Sequence, residues 1–243
     1  KAGSCADIDQ NRKEMVICSR MKDGGRIQSY SLRCIEPSQH NKTKKHYIAV
    51  FRTQQHMSAE ADRRPVQVAT QDVGGSSLIL SEGGGITAIQ TGTLEQLWFV
   101  GVNFFRFEPQ RLWVDKFGST FVVHCLDTNK SNEETLEYWS PPEKFAKAEA
   151  GTFERAVLPL EKSPLVALTV ETISPDMGAF IVYSTANGSV RLWRPAPEGM
   201  RADPVLKLDI ERSLMGGAIA PVSSMAFLLN QDLPDSPISL LYV

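Results

Sequence analysis

Short apolar segments, separated by turn residues, recur along the whole chain. In residues 179–193, four β-forming side chains at 180–183 come before Asn187-Gly188. Asn-Gly favours a type I′ turn, in which both central residues have positive φ, so this stretch predicts a tight β-hairpin. A long amphipathic helical pattern is missing from the sequence, and the pattern as a whole predicts an all-β fold.

The second half of this hairpin carries bulky side chains on both faces. Val190 and Leu192 are two residues apart and lie on one face, whereas Arg191 and Trp193 lie on the other. Bulk on both faces predicts a sheet that is covered on both sides, as in stacked sheets and propeller blades. We expect Trp193 to pack between two blades rather than on a rim.

The same plan of strand, glycine turn and alternating strand occurs near the start of the chain. Residues 15–18 predict a strand, Asp23-Gly24-Gly25 a turn and residues 26–32 a second strand. Further strands are predicted at 47–52, 78–80, 86–90, 94–100, 121–126, 136–139, 222–229 and 238–243. Repeated β units of roughly forty residues indicate a β-propeller with WD-like four-stranded blades.

A single segment has helical character. Residues 141–156 are rich in Ala, Glu and Lys, begin with Pro and contain Gly151 as a stop signal. We expect one or two exposed helical turns there, between strands. Proline-rich stretches at 194–204 and 232–237, and the polar residues on both sides of the strand at 47–52, predict loops.

Charge and cysteine content narrow the class of protein. Lys and Arg number 26 against 28 Asp and Glu, so the chain lacks the basic excess that is typical of direct nucleic-acid binding. No apolar run reaches the length of a membrane span. The four cysteines are irregularly spaced and form no CxxC motif, which predicts reduced thiols in a cytosolic or nuclear protein.

Candidate chemistry is sparse. His40, His46 and His56 lie in a polar segment without ligand spacing, and the adjacent His124 and Cys125 point to opposite faces of a strand. The glycine clusters open no helix, which argues against a phosphate-binding loop. We therefore predict no catalytic, cofactor-binding or metal-binding residues and no cofactor. The residues expected to shape turns and blades are Gly24, Gly25, Asn187, Gly188, Trp193, Gly216 and Gly217.

Three stretches, in this order, resemble one known family. Residues 5–32 resemble its element in which an acidic strand end leads to a hairpin, residues 84–98 its strand pair, and residues 213–227 its double-glycine segment. The family is that of the large damaged-DNA-binding subunit. It includes the large subunit of cleavage and polyadenylation specificity factor, the matching splicing factor 3b subunit, and fungal methyl-methanesulfonate-sensitivity and heterochromatin adaptors.

The chain departs from this family in details that bear on the subfamily. Ser19-Arg20 replaces the family's Ser-Gly pattern, and Ala218 stands where the family has an acidic residue. The stretch GSVRLW at 188–193 also resembles a generic WD repeat, which is the competing family.

The resemblance implies three seven-bladed propellers and a helical end in the whole protein. Residues 1–35 would then be the last strands of a preceding propeller or a first blade. Residues 36–243 would be four to five blades of a second propeller, truncated at the C-terminus, and the chain a fragment. Within this family the second propeller docks the cullin scaffold in the ubiquitin-ligase member, and other members hold RNA-processing assemblies together.

These expectations favour a non-catalytic scaffold in the nucleus, with the cytoplasm as a second location. The first hypothesis is an adaptor of a cullin-type ubiquitin ligase linked to DNA repair or chromatin, with a pre-mRNA splicing or 3′-end cleavage scaffold as the alternative. The second is a stand-alone WD-repeat module in trafficking or signalling, and the third is a propeller enzyme such as a hydrolase. The expected partners are protein subunits, with nucleic acid contacted only indirectly and no membrane.

Overall fold

A computed structural model describes most of the chain. The described residues are 4–35, 46–57, 64–72, 74–116, 118–127, 133–140, 153–160, 163–174, 178–195, 206–208, 222–229 and 238–242. Within them the regular structure is almost entirely β, with a single 3₁₀ turn at Val102–Phe104. The expected all-β fold class is confirmed.

The strands form five consecutive antiparallel sheets. The first sheet contains β1 (Ser4–Asp9), β2 (Glu14–Met21), β3 (Gly24–Ile35) and β4 (His46–Met57). The second contains β5 (Pro65–Gln71), β6 (Ser76–Ser81), β7 (Ile86–Gln90) and β8 (Gln96–Val100). The third contains β9 (Glu108–Val114), β10 (Phe121–Leu126), β11 (Glu134–Ser140) and β12 (Glu154–Pro159). The fourth contains β13 (Leu165–Ser174), β14 (Gly178–Thr185), β15 (Val190–Trp193) and β16 (Leu206–Leu208), and the last contains β17 (Met225–Leu229) and β18 (Ile238–Tyr242).

The sheets are arranged as successive blades. Each four-stranded sheet is a meander, in which every strand pairs with the next one in the chain. The first strands of successive sheets, β1, β5, β9, β13 and β17, contact one another in that order. These strands therefore form the inner side of the assembly, and the fourth strand of each sheet is the outermost. The described residues thus form an incomplete propeller, with four complete blades and one two-stranded sheet.

Polar side chains connect the inner strands from blade to blade. The Asp7 carboxylate accepts a hydrogen bond from the backbone N–H of Thr70 at 2.7 Å. The Gln67 side-chain amide donates to the backbone oxygen of Leu112 at 2.6 Å, and its oxygen accepts from the Leu112 N–H at 3.0 Å. The Asp115 carboxylate accepts from the backbone N–H of Thr172 at 3.0 Å. The inner strands of different blades do not pair with each other, so side chains satisfy backbone groups on their inner edges.

Several predicted strands match the structure closely. The expected segments at 86–90 and 121–126 coincide with β7 and β10, and the other expected strands lie within or overlap observed ones. Six strands were not predicted, namely β1, β5, β9, β12, β13 and β16. Four of these, β1, β5, β9 and β13, are inner strands. In two of them, Asp7 of β1 and Gln67 of β5 form blade-to-blade hydrogen bonds, so these strands lack a regular apolar face.

The predicted helical turns at 141–156 are wrong where the structure describes this segment. Glu154–Pro159 is strand β12, which pairs with β11 along its whole length. Ala156 packs against the apolar cluster between the third and fourth sheets, and Leu158 is buried within it. Burial against a neighbouring blade thus outweighs the local helix propensity of these residues. Residues 141–152 lie outside the described residues.

The predicted type I′ turn is also wrong. Gly188 has positive φ (83°), whereas Asn187 does not. Four residues, not two, separate β14 from β15, and the Gly188 N–H donates to the backbone oxygen of Thr185 at 2.9 Å. The Asn187 side-chain oxygen accepts from the backbone N–H of Ser189 at 3.0 Å. The hairpin itself is present, and Asn187 stabilises it through its side chain.

The two faces of this hairpin pack as the alternation predicts. Trp193 belongs to the apolar cluster shared with the third sheet and meets Tyr138 edge to face, with ring centroids 5.5 Å apart. Val190 and Leu192 belong to a different cluster, shared with Val222 and Met225. The fourth sheet is therefore covered on both sides.

The expected division of the chain at residue 35 falls between β3 and β4. These two strands are hydrogen-bonded neighbours over their full lengths, and β1–β4 form one blade. Gly24 and Gly25 are the first residues of β3, and the turn before them is formed by Lys22 and Asp23. The assignment of the blades to a particular propeller of a larger protein stays a prediction.

Candidate interaction surface

The two faces of the first sheet are strongly unequal. Side chains of Val16, Cys18 and Ile27 point toward the second sheet and are at most 2% exposed. Their neighbours in sequence, Met15 and Ile17, point to the opposite side and are only partly buried. Because side chains alternate along a strand, every second residue of all four strands lies on this opposite side, which we call the open face.

The centre of the open face is apolar and continuous across the four strands. Strand pairing places Ile8 opposite Met15, Met15 opposite Tyr30 and Tyr30 opposite Phe51. Ile8 is 40% exposed and Phe51 is 51% exposed, although the Tyr30 and Phe51 rings pack edge to face with centroids 5.7 Å apart. Ile17 extends the same row. Among the described elements, β5 is the one outside this sheet that makes extensive contact with it, and β5 lies on the other face.

The outermost strand adds a second feature to this surface. Strands β3 and β4 are each 12 residues long, so their hairpin reaches beyond the end of β2. Its exposed side chains include Tyr47 and Ile48, each 47% exposed. No described strand pairs with the outer edge of β4. An edge with open backbone groups beside exposed aromatic residues can accept an added strand from another protein.

The predicted turn and blade residues do not gather at one site. Gly24 and Gly25 belong to the first sheet, whereas Asn187, Gly188 and Trp193 belong to the fourth. Gly25 lies at a close approach of the first two blades, since a Cβ atom there would be 2.4 Å from Cδ of Pro65. Gly216 and Gly217 lie outside the described residues. The roles of these residues in turns and blades stay predictions.

His124 and Cys125 point to opposite faces of β10, as expected for adjacent strand residues. Cys125 is fully buried in the cluster between the second and third sheets. The ring Nε2 of His124 lies 3.2 Å from a Glu134 carboxylate oxygen, which also accepts the Leu165 N–H at 3.1 Å. Burial lowers the pKa of His124, with Glu134 opposing that shift. The pair connects the third and fourth blades, and neither member carries a hydroxyl or thiol nucleophile.

The remaining candidate chemistry lies partly beyond the described residues. His40 lies outside them, whereas His46 is the first residue of β4 and His56 lies near its other end. Among the described residues there is no group of three or more His, Cys, Asp or Glu side chains that could hold a metal ion. A search of the same residues for a helix long and apolar enough to cross a membrane found none. The absence of catalytic, cofactor and metal residues stays a prediction.

Solved structures resemble this arrangement of blades. One is Sqt1 of Saccharomyces cerevisiae, with a TM-score of 0.52 and 8% identity over 78% of this chain and 44% of that one. Another is a putative 6-phosphogluconolactonase of Bacteroides fragilis, with a TM-score of 0.53 and 11% identity over 86% of this chain and 56% of that one. The WD40 repeats of RRP9 align with a TM-score of 0.46 and 14% identity, over 84% of this chain and 49% of that one.

The chain has a β-propeller fold. It spans about half the length of these solved structures. No family model matches the chain, and no curated protein matches it. The broader of the two family expectations, a WD-repeat protein, is confirmed only in its β-propeller fold. The narrower one, membership of the large damaged-DNA-binding subunit family, stays a prediction.

The open face is not apparent from the sequence. The alternation in β2 and β3 indicated that both faces of the sheet carry apolar residues, and that pattern normally means that both are covered. In β1 and β4, which complete the face, apolar and polar residues alternate weakly or irregularly. The exposure of the face is therefore visible only in the tertiary structure. The sequence therefore indicates no partner-binding residues, whereas strand pairing brings Ile8, Tyr30 and Phe51 into one row.

Proposed function

We propose that this chain is a non-catalytic propeller that holds protein subunits together, and that one subunit docks on the open face of the first sheet. The observation that carries the proposal is the exposed apolar row from Ile8 through Tyr30 to Phe51. Contiguous apolar patches on a folded protein mark interaction sites more often than scattered apolar residues do. The rigid blades beneath the row hold it in a fixed shape.

The chemistry of the open face defines the partner. The row contains aliphatic and aromatic side chains, flanked by Gln28 and Gln54, which are strand partners. An apolar centre with a polar border is the usual anatomy of a protein–protein interface. The near balance of 26 basic and 28 acidic residues does not favour a nucleic-acid backbone as the direct ligand. The occupant that fits best is a protein subunit with an apolar surface of its own.

A more specific role follows from the three family-like stretches. Their order supports an adaptor of a cullin-type ubiquitin ligase that serves DNA repair or chromatin, in the nucleus and also the cytoplasm. A splicing or 3′-end cleavage scaffold of the same family is the alternative, and a stand-alone WD-repeat module in trafficking or signalling is the next. The identity of the bound subunits separates these roles.

The proposal is tested on the tagged chain, purified from its own cells, by quantitative mass spectrometry of bound proteins. Three forms are compared: the parent, Phe51→Glu and Val157→Glu. Val157 is a matched control, since it is also an exposed apolar residue, 42% exposed, on the outermost strand of a different blade. We expect the parent and Val157→Glu to retain the same subunits and Phe51→Glu to lose at least one.

Melting temperatures of the three purified forms complete the test. Exposed substitutions usually change stability by about 0.5 kcal/mol or less, so Val157→Glu should melt like the parent. Phe51→Glu also loses the ring contact with Tyr30, which contributes about 0.5–1.5 kcal/mol, so its melting temperature should fall only slightly. Equal binding by the parent and Phe51→Glu would contradict docking on the open face. A large fall in the melting temperature of Phe51→Glu would contradict it as well, because the face would then be covered within the chain itself.

A further inference from the structure

Two cysteines that belong to no CxxC motif lie opposite each other on neighbouring strands. Cys5 on β1 and Cys18 on β2 are direct pairing partners, and both side chains point toward the second sheet. Cys18 is 1% exposed, whereas Cys5 is half-buried. The twelve residues between them form a β-hairpin that brings the two thiols together, although the sequence contains no CxxC motif.

One of the two thiols borders a surface pocket. A pocket of about 200 Å³ is lined by Ser4, Cys5, Arg20, Pro65 and Val66, at the boundary between the first and second sheets. A Glu82 oxygen accepts a hydrogen bond from the Arg20 guanidinium at 2.5 Å, which holds this cation beside the pocket. Cys18 lies behind Cys5, within the apolar cluster. A small reagent can therefore reach Cys5 but not Cys18.

The two sulfur atoms have different environments. The Cys18 thiol donates a hydrogen bond to Cys5, and this contact, with a further one from the Val68 backbone, lowers the pKa of Cys5 in spite of burial. The same contact and burial raise the pKa of Cys18. Thiolate is the nucleophilic form of cysteine, so Cys5 is the cysteine that reacts first with an oxidant. Cys18 is the resolving cysteine, which reacts with the oxidised Cys5.

We propose that Cys5 and Cys18 form a redox site, at which a hydroperoxide oxidises the pair to a cross-strand disulfide. In the first step the Cys5 thiolate attacks one peroxide oxygen, the O–O bond breaks, and Cys5 becomes a sulfenic acid while the other oxygen leaves and takes up a proton. In the second step the Cys18 sulfur attacks Sγ of Cys5 and displaces hydroxide, which leaves as water with the Cys18 proton. The two sulfur atoms lose two electrons together, and with hydrogen peroxide two waters are formed.

The strand geometry permits this bond with little movement. Residues directly opposite each other on antiparallel strands have Cβ atoms about 4.5–5.5 Å apart. A disulfide requires a Cβ separation of about 3.5–4.5 Å, so the two side chains must approach by about 1 Å. The product ties the inner strand β1 to β2 beside the boundary with the second blade. A dithiol reductant restores the two thiols.

The other two cysteines cannot form this pair. Cys125 is fully buried, and burial raises its pKa. Cys34 lies near the exposed end of the β3–β4 hairpin, where its strand partner is Tyr47. Cys34 is therefore an exposed thiol on the same blade with no cysteine opposite it, and it serves as the internal reference for oxidation.

The test exposes the folded full chain to hydrogen peroxide and maps its cysteines by mass spectrometry. Trypsin releases Cys5 in the peptide that ends at Arg12 and Cys18 in the peptide that ends at Arg20. We expect these two peptides to appear as one linked species that lacks two hydrogens, and dithiothreitol to separate them again. The Cys34→Ser variant should give the same linked species, since Cys34 takes no part.

The Cys18→Ser variant isolates the first step. With no thiol behind it, Cys5 should accumulate as a sulfenic acid, which dimedone traps as a stable adduct. The proposal is overturned if the parent chain forms no Cys5–Cys18 link while Cys34 is oxidised. It is equally overturned if Cys5 of the parent links to Cys34 or to a second chain instead. Both outcomes are read on the parent, so they do not depend on whether a variant folds.

Discussion

The boundary between the first and second blades differs sharply from the boundary between the second and third. Aliphatic side chains fill the first boundary, with Val16, Ile79 and Ile89 at its centre and with Cys5 and Cys18 at one end. Large aromatic rings fill the second, where Phe121 stacks with Trp98 and with Trp139 at centroid distances of 5.6 and 6.1 Å. One strand, β6, contributes to both, since Leu78 faces the aromatic boundary and Ile79 the aliphatic one.

This difference shows how blades of similar strand plan can be joined in different ways. Aromatic side chains bury a large area per residue and hold neighbouring rings in defined orientations. The aliphatic boundary instead allows close backbone approach, because Gly25 meets Pro65 with no room for a Cβ atom. We expect the aromatic boundary to contribute more stability per residue and the aliphatic boundary to be more sensitive to added volume.

The largest expected effect is at the centre of the aromatic boundary. Trp139 is fully buried and contacts Phe121, Phe105 and Phe153. Trp139→Ala should lower the free energy of unfolding by about 3–5 kcal/mol, through lost burial and the remaining cavity. Denaturant unfolding monitored by circular dichroism measures this change. A loss of under about 1 kcal/mol would mean that the aromatic boundary is not the stronger one.

The next effect tests the close approach at the aliphatic boundary. In Gly25→Ala the new methyl group would lie 2.4 Å from Cδ of Pro65, so the first two blades must separate slightly. We expect a loss of about 1–3 kcal/mol, the usual cost of overpacking, measured in the same unfolding experiment. In the double variant with Pro65→Ala most of this loss should disappear, since the clashing ring is gone. An equal loss in the double variant would assign the effect to the backbone of Gly25 instead.

The same substitution can be placed on each boundary. Ile79 faces the aliphatic cluster and Ile86 the aromatic one, and both are 0% exposed. Ile→Val at either position removes one methylene group and should cost about 0.5–1.5 kcal/mol. We expect Ile86→Val to cost more, because stacked rings relax less readily around a small cavity than aliphatic side chains do. The melting temperatures of the two variants give the order directly, and the reverse order would contradict this view of the two boundaries.

The smallest effect concerns a carboxyl group on the aromatic side. Glu137 is 1% exposed, and burial raises its pKa, although the Arg106 backbone N–H donates to it at 2.6 Å and opposes the shift. Cys125 and Arg155 are the other titratable groups beside it. A raised pKa in the folded state means that the protonated form is favoured by folding. This stabilisation is complete below the unfolded pKa and is lost as pH rises through the folded pKa.

Glu137→Gln should remove that pH dependence. Glutamine keeps an acceptor for the Arg106 N–H but carries no charge, so the variant should gain stability relative to the parent as pH rises from acid to neutral. The measurement is the difference in melting temperature between the two proteins at a series of pH values. A difference that stays constant with pH would show that Glu137 does not titrate in this range.

Much of the outer blade structure could be predicted from the sequence. The segments at 86–90 and 121–126 became β7 and β10 because they are short runs with β-branched and aromatic residues that follow turn residues. The inner strands were missed for the opposite reason. In β5, the Gln67 side chain bonds to the Leu112 backbone of the third blade, and the Thr70 backbone N–H donates to Asp7 of the first, which a local pattern does not reveal.

The candidate site was much less accessible to sequence analysis. Phe51 lies within a predicted strand, yet nothing in its neighbours distinguishes an outermost strand from a central one. The Cys5–Cys18 pair was equally hidden, since the expectation from irregular spacing was four unrelated thiols. Both features depend on strand register, which places residues far apart in sequence at directly opposite positions.

The sequence by itself determined the class of fold, the positions of most outer strands and the division of each strand into two faces. These properties are local, because side chains alternate with a period of two residues and glycine and asparagine favour turns wherever they occur. The tertiary structure decided which faces are covered, which thiols meet and that Glu154–Pro159 is a strand rather than a helix. Those outcomes depend on which blade lies against which, and burial against a neighbouring blade outweighs the weak preferences of single residues.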